Sequence, residues 1–206
     1  MNIFIAVGIG LISYLIGGFS TCIILAKSFK SLNLYKVGTG HPDTENLFHN
    51  VSKSLGILAG AIDFLKVYLY LMLLNVLLRE FFPGINYENY LLAFGFMMLL
   101  GHCLPVNHKF KGGRGLFTYI GLISYFAFLP TLIVAFFAGL VVIFFKQVRF
   151  AQYMIVLLPS IVAHFCISFF PVYFSDYNSV FLTKLLIAAF LMGVVNIIVS
   201  KKLGEI

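Results

Sequence analysis

Charged side chains are scarce in this chain: Asp, Glu, Lys and Arg make up 10% of its 206 residues, while hydrophobic residues make up 61%. Soluble domains carry roughly 25% charged residues, so this chain has too few to cover a water-facing surface. The scarcity predicts an integral membrane protein. The apolar runs are long and continuous instead of short and alternating. They therefore favour an all-α fold over a β-barrel, in one polytopic domain over residues 1–206.

Cysteine is also rare, and Cys22, Cys103 and Cys166 lie apart in or beside apolar segments. Their spacing and odd number favour small buried residues over a zinc or redox role. The sequence contains no His-Glu-x-x-His metal motif and no Gly-x-Ser-x-Gly nucleophile motif. We therefore expect no metal site and no serine or cysteine nucleophile.

Six apolar runs approach or exceed the roughly 20 residues that a membrane-spanning helix needs. They are Ile3 to Ala26, Leu55 to Leu78, Tyr90 to Leu104, Leu116 to Phe145, Met154 to Phe174 and Val180 to Val199. The fourth run is too long for one ordinary span and contains Pro130, and the residue before a proline disfavours helix. We predict two short spans there, and thus seven transmembrane helices. Six is the alternative, if Pro130 only kinks one tilted helix.

The first run has no basic region before it and no small-residue cleavage site after a short apolar core. It is therefore expected to be a retained helix and not a signal peptide.

Fourteen Lys and Arg residues outnumber seven Asp and Glu residues, and their positions predict the orientation. If seven spans begin with the N-terminus outside, the inner segments hold Lys27, Lys30, Lys36, Lys53, Lys109, Lys111, Arg114, Lys146, Arg149, Lys201 and Lys202. The outer segments then hold only Arg79 and Lys184. This asymmetry predicts a cytoplasmic C-terminus. It also explains the basic balance without nucleic acid, for which the chain has no basic soluble module.

Most polar residues then fall on the predicted cytoplasmic face, in the segment Lys27 to Ser54, the loop Gly101 to Gly115 and the C-terminal tail. Asp63 and Lys66 instead lie within the second span, three residues apart and so on one helix face. We predict that they neutralise each other as a structural pair. The alternative is that they shape a polar cavity.

The loop that follows the third span carries Lys111-Gly112-Gly113-Arg114-Gly115, which we call the glycine loop. Adjacent glycines let successive backbone N–H groups turn toward one point, and the flanking cations add positive charge there. The loop therefore predicts a phosphate site at the membrane surface.

Two motifs resemble those of the bacterial acyl-phosphate:glycerol-3-phosphate acyltransferases of the PlsY type. That family carries Gly-His-x-x-Pro, then four residues, then Phe-Lys-Gly-Gly-Lys-Gly. This chain matches the spacing without a gap at Gly101, His102, Pro105, Phe110, Lys111, Gly112, Gly113, Arg114 and Gly115, with arginine in place of the second lysine. In the family's first motif, Gly38, Thr39, Gly40 and Asn46 align. Asp63 and Lys66 fall where the family has an acidic and a basic residue.

The same comparison finds several departures. In the first motif His41 stands for asparagine, Asp43 for glycine, Glu45 for threonine and His49 for arginine. In the third motif Asn196, Ile197 and Glu205 keep the register, while Gly193 replaces histidine, Val199 arginine and Leu203 glycine. Histidine cannot supply the bidentate, permanently charged fork of arginine.

The resemblance implies a multi-pass enzyme of the bacterial plasma membrane with its site on the cytoplasmic face. It would transfer a fatty acyl group from acyl phosphate to the 1-hydroxyl of glycerol 3-phosphate, giving lysophosphatidic acid and phosphate. It implies no cofactor. Its partners would be these two substrates and membrane lipid, and the sequence gives no oligomeric state.

The resemblance also assigns roles to residues of this chain. The implied catalytic residues are Thr39 and Lys111. The implied substrate-binding residues are Asn46, His49, His102, Gly112, Gly113, Arg114, Gly115, Asn196 and Glu205. Because of the departures, a catalytically impaired paralogue that binds lipid or partner enzymes is one alternative. A transporter for an anionic solute is another, although apart from Asp63 and Lys66 the spans offer few polar residues to form a path.

Overall fold

The computed structural model describes residues 2–83, 87–169 and 179–203, and every element of regular structure in these ranges is helical. Within these ranges lie nine α-helices: α1 (Ile3–Gly17), α2 (Thr21–Lys30), α3 (Thr44–Asn50), α4 (Lys53–Phe81), α5 (Tyr87–Cys103), α6 (Leu116–Phe126), α7 (Phe128–Leu140), α8 (Val148–Phe169) and α9 (Ser179–Leu203). Short 3-10 turns lie at Leu34–Lys36 and Val106–His108, and a π-helical turn at Val141–Phe145 follows α7. The predicted all-α fold is confirmed.

Six stretches of the described chain are long and apolar enough to cross a membrane. They are Ile3–Lys30, Lys53–Phe81, Asn89–His108, Phe128–Phe145, Val148–Phe169 and Phe181–Lys202, and Leu116–Phe126 is a shorter apolar helix. The predicted runs coincide with these helices, although residues 170–174 of the predicted sixth span lie outside the described residues.

The long fourth run divides at Ala127, between α6 and α7. Pro130 lies in the first turn of α7, where a residue without an N–H group costs no intrahelical hydrogen bond. The run therefore forms two helices, as its length and proline predicted.

The predicted first span is also divided, into α1 and α2, and no feature of the sequence predicted this break. After α1 ends at Gly17, the N–H of Gly18 donates to the Tyr14 and Leu15 carbonyls at 3.0 and 3.1 Å. Ser20 then caps α2, and its hydroxyl accepts from the Ile23 N–H at 3.5 Å. Short polar residues such as Ser favour the start of a helix because the side chain accepts from N–H groups that lack intrahelical partners.

Glycines allow α1 to pack directly against the backbone of α5. A Cβ atom on Gly17 would overlap the Met98 carbonyl, and one on Gly101 would overlap the Tyr14 carbonyl. The Tyr14 hydroxyl also donates to the Leu104 carbonyl. In a membrane such small-residue contacts supply the close van der Waals packing that holds helices together.

The chain forms two compact units. The first comprises Met1–Leu122 and Val195–Ile206, and the second comprises Ile123–Val194. Within the first unit, the polar segment between α2 and α4 rests on a core of buried apolar residues: Cys22, Leu25, Ala26, Leu34, Leu47 and Ala59. Within the second unit α7 packs against α8. Cys22 and Cys103 are buried, as predicted, and Cys166 is half-buried.

Replacing Gly17 by alanine is expected to destabilise the protein, because the new Cβ atom would displace the α5 backbone. Overpacking of this kind costs about 1–3 kcal/mol, which corresponds to a loss of about 2–12 °C in Tm for a chain of this size. Thermal unfolding in detergent measures it. Gly8→Ala, also in α1, is the control because nothing lies within 4 Å of its Cβ position. Equal losses in the two variants would contradict the assigned packing.

Candidate active site

The glycine loop folds back onto the end of α5. The 3-10 turn at Val106–His108 reverses the chain, and Lys109 and Phe110 adopt left-handed backbone angles at φ 55° and 58°. The N–H of Gly112 then donates to the Cys103 carbonyl at 3.2 Å. The loop is therefore fixed against the helix that precedes it.

The two central glycines of this loop are required by close packing against His102. A Cβ atom on Gly112 would overlap the His102 carbonyl oxygen, and one on Gly113 would lie 2.9 Å from His102 Nε2. Both glycines are buried, as is Gly115, which has φ +75° and directly precedes α6. The glycines thus bring the backbone close to His102, and they place the loop at the N-terminus of α6, a position that favours anions.

A buried polar cluster lies beneath this loop. Asp63 is 1% exposed, and its Oδ1 accepts from Thr21 Oγ1 at 2.6 Å and from Lys66 Nζ at 3.2 Å. His102 Nδ1 lies 3.8 Å from the same oxygen. Lys66 Nζ also donates to the Gly17 and Phe19 carbonyls at 3.3 and 3.1 Å. The predicted Asp63–Lys66 pair is confirmed, and its lysine also satisfies carbonyls at the break between α1 and α2.

Asn46 organises the polar segment between α2 and α4. It is 1% exposed, and its Nδ2 donates to the His41 and Val37 carbonyls at 2.8 and 3.0 Å. Its Oδ1 accepts from the Thr39 N–H at 3.2 Å and from Asn50 Nδ2 at 2.9 Å. The amide predicted to bind substrate is engaged in fixing the loop that carries Thr39.

Asp43 connects this segment to α3. Its Oδ1 accepts from the Asn46 N–H at 2.8 Å and so caps the helix N-terminus. Its Oδ2 lies 3.8 Å from Arg114 Nε. Burial raises the pKa of the Asp43 carboxyl, while the Asn46 N–H and the Arg114 guanidinium act to lower it.

The segment between α2 and α4 contacts the glycine loop. Besides the Asp43–Arg114 pair, the Tyr35 hydroxyl donates to the Lys111 carbonyl at 2.8 Å. Burial raises the pKa of Tyr35, which keeps this hydroxyl protonated as a donor. The Thr39, His49 and Lys111 side chains are exposed, and Arg114 is half-buried. Hydroxyl, imidazole and ammonium groups thus occur on two segments that are bonded together.

The third predicted segment is placed in part. Asn196 lies on α9 and is half-buried. Near the end of the same helix, Lys202 Nζ lies 5.0 Å from the centroid of the Phe110 ring, a cation–π contact with the glycine loop. Glu205 lies outside the described residues.

Sequence reasoning missed three residues that hold the site together: Thr21, Tyr35 and Asp43. Asp43 carried a usable signal, because an aspartate before a short run of helix-forming residues is a common N-cap. Thr21 and Tyr35 have ordinary sequence surroundings, and their partners are 42 and 76 residues away. Only the tertiary fold brings these pairs together.

A cavity of about 350 Å³ adjoins the site along α2. It is lined by both apolar and polar residues: Gly18, Phe19, Ser20, Ile23, Ile24, Lys27, Ser28, Asn107 and His108. Asn107 and His108 belong to the turn that leads into the glycine loop. Within the described ranges, no group of three or more His, Cys, Asp or Glu residues could hold a metal ion.

Comparison with known proteins identifies the family of this chain. Residues 7–202 match the family model described as glycerol-3-phosphate acyltransferase. The enzyme of that name from Pelagibacter ubique (strain HTCC1062) is 29% identical over 182 residues, which are 88% of this chain and 86% of that protein. The one from Streptococcus gordonii (strain Challis) is 32% identical over 157 residues, 76% of this chain and 67% of that protein.

Two crystal structures of PlsY, an integral membrane glycerol 3-phosphate acyltransferase, share the fold. The glycerol 3-phosphate form has a TM-score of 0.72 at 22% identity, and the lysophosphatidic acid form a TM-score of 0.64 at 23% identity. Each match covers 96% of this chain and 88% of that one. The helical membrane fold and the sequence matches define a multi-pass membrane acyltransferase. The chain belongs to the glycerol-3-phosphate acyltransferase family.

Asn46→Ala is expected to loosen the segment that carries Thr39. It leaves the Val37 and His41 carbonyls without their donor, at a cost of about 1–3 kcal/mol for unsatisfied groups. Trypsin should then cleave the folded protein faster after Lys36, which is exposed within this segment. Asn50→Ala is the matched control, because the exposed Asn50 side chain donates a single bond to Asn46. Equal cleavage rates in the two variants would show that Asn46 does not organise the loop.

Proposed function

We propose that this protein transfers a fatty acyl group from acyl phosphate to the 1-hydroxyl of glycerol 3-phosphate, giving lysophosphatidic acid and inorganic phosphate. In this reaction the hydroxyl oxygen forms an ester bond with the acyl carbon, the bond from that carbon to the phosphate oxygen breaks, and the hydroxyl proton leaves with phosphate. The observation that carries the proposal is the junction of the Thr39 segment with the glycine loop through Tyr35–Lys111 and Asp43–Arg114.

Phosphate is the common feature of both substrates, and the glycine loop is suited to it. In the proposal Lys111 and Arg114 supply positive charge, and the backbone of Gly112, Gly113 and Gly115 leads into the N-terminus of α6. Such fixed donors and charges act best where they stabilise the departing phosphate. The exposed Thr39 hydroxyl donates to the acyl phosphate from the other segment.

The remaining residues of the proposed site position these groups. His102 supports the glycine loop from below, and Asn46 holds the Thr39 segment. His49, Asn196 and Glu205 contribute to binding glycerol 3-phosphate. Held in this way, the two substrates would react with a much lower entropic cost than in solution. The cavity along α2, with its apolar residues and Lys27, suits a donor with a lipid chain and a phosphate group.

Orientation and location belong to the same proposal. We place seven helices across the bacterial plasma membrane, with the N-terminus outside and the C-terminus and active face in the cytoplasm. The distribution of Lys and Arg supports this orientation. In this arrangement the shorter apolar helix α6, directly after the glycine loop, is the fourth of the seven crossings.

A second candidate, a catalytically impaired paralogue that binds lipid or partner enzymes, is favoured by one observation. The Asp43 carboxylate lies 3.8 Å from Arg114 Nε and so offsets part of the positive charge on the glycine loop. Complementation separates the candidates: rescue of a bacterial strain that lacks this acyltransferase supports catalysis. Failure to rescue despite normal membrane expression and retained lipid binding supports the paralogue.

Lys111→Gln is expected to lower kcat/KM by about 10–100-fold, because a charge-assisted hydrogen bond to phosphate contributes about 1.5–3 kcal/mol. Phosphate release from acyl phosphate, with and without glycerol 3-phosphate, measures it on purified protein. Lys53→Gln, an exposed lysine at the start of α4, is the control and should keep wild-type activity. If wild-type protein releases no phosphate above the Lys111→Gln background, the proposed reaction is wrong for these substrates.

A further inference from the structure

The buried cluster around Asp63 connects three helices to one carboxylate oxygen. Asp63 and Lys66 are on α4, Thr21 begins α2, and His102 lies near the end of α5. Asp63 Oδ1 lies 3.2 Å from Lys66 Nζ, 2.6 Å from Thr21 Oγ1 and 3.8 Å from His102 Nδ1. Asp63 and Lys66 together carry no net charge, so the cluster avoids an uncompensated buried ion.

The cluster is bonded on its other side to the break in the first span. Lys66 Nζ donates to the Gly17 and Phe19 carbonyls, which no longer have helical partners because α1 has ended. The Asp63 carboxylate is therefore fixed by two elements, α4 and the start of α2. It has little freedom to move away from His102.

The glycine loop packs directly against His102. The His102 carbonyl and Nε2 limit how closely Gly112 and Gly113 can approach, and the adjacent Cys103 carbonyl accepts from the Gly112 N–H. His102 Nε2 lies so close to Gly113 that a Cβ atom there would come within 2.9 Å of it, so the ring and the loop backbone limit each other's position. The path of the loop backbone thus depends on where the imidazole is held.

Within the part of the chain that the structure describes, His102 Nδ1 is buried and has no hydrogen-bond partner. Asp63 Oδ1 at 3.8 Å is an acceptor of matching chemistry, slightly beyond hydrogen-bond distance. A buried imidazole N–H without a partner is costly, so a small shift that closes this gap is favourable.

We propose that Asp63 is a positioning residue for the glycine loop and acts through His102. The carboxylate orients the imidazole with Nδ1–H toward Asp63, and Nε2 then sets the backbone of Gly112 and Gly113 in the conformation that binds an anion. Closure of the Nδ1–Oδ1 gap accompanies anion binding. This inference rests on the proposed function and deepens it. It assigns the geometry of the phosphate site to buried residues.

The test measures the loop directly, with inorganic phosphate as the probe. Trypsin cleavage after Lys111 is followed in the detergent-solubilised full chain over a range of phosphate concentrations. Cleavage after Lys146 and Arg149, which are exposed in the second unit, is the internal reference. In the wild type, phosphate should slow cleavage at Lys111 and leave the reference sites unchanged.

Asp63→Asn and His102→Gln are the test variants. Asn removes the carboxylate charge, and Gln keeps an amide near the Nε2 position but has no donor directed at Asp63. Each is expected to raise the phosphate concentration for half-protection about tenfold. Because both changes break one coupled unit, the double variant should be no worse than either single variant. Effects that multiply in the double variant would overturn the proposal.

Tyr70→Phe is the matched control. The Tyr70 hydroxyl forms a 2.7 Å hydrogen bond with Ser13, so this variant also removes a side-chain bond between α1 and α4, but away from the loop. It should leave the half-protection concentration unchanged even if Tm falls. If Asp63→Asn does not fold, Asp63→Asn/Lys66→Met removes both charges together, and His102→Gln keeps the ion pair intact. A folded variant of this set with wild-type protection would contradict the proposal.

Failure of the proposed function gives a different result. If the wild type binds phosphate but transfers no acyl group, the protection data still decide the role of Asp63. If the wild type shows no protection at all, the phosphate site is wrong. The rate of cleavage at Lys111 without phosphate then tests whether Asp63 and His102 position the glycine loop. Faster cleavage in His102→Gln than in Tyr70→Phe supports this role, and equal cleavage overturns it.

Discussion

The rest of the first unit depends on the hydrogen bonds that the Lys66 ammonium group donates where the first span is divided. A helix that ends inside an apolar segment leaves carbonyls without partners, and hydrocarbon offers no water to satisfy them. Lys66 satisfies the Gly17 and Phe19 carbonyls where α1 stops. A lysine in this environment needs a counter-charge, which Asp63 supplies on the same face of α4. The division of the first span and the ion pair in the second are thus one structural feature.

From this pair the structure extends to the candidate site. Asp63 lies near His102, and His102 limits the approach of Gly112 and Gly113, so the loop rests on a buried ionic cluster. The glycines therefore have two consequences. They let the backbone approach the imidazole, and they carry that backbone to the start of α6, a position that favours an anion.

The second polar segment depends on a different device, a buried amide. Asn46 donates to the Leu34, Val37 and His41 carbonyls and accepts from two donors, which uses the full capacity of an asparagine side chain. Tyr35 and Asp43 then join this segment to the glycine loop. The site is held by residues that do not themselves bear the chemistry expected of a transferase.

The sequence by itself determined the class of fold, the apolar helices, the division of the long run that contains Pro130 and the Asp63–Lys66 pair. These follow from composition, from the length of apolar runs and from spacing within one helix, all of which are local. Only the tertiary structure decided the break after Gly17, the structural use of the Asn46 amide and the contacts of Thr21, Tyr35 and Arg114. The break and the contacts of Thr21, Tyr35 and Arg114 depend on partners distant in sequence, and the Asn46 amide depends on how the loop around it folds. In each case a carbonyl or carboxylate selects its partner by position in space.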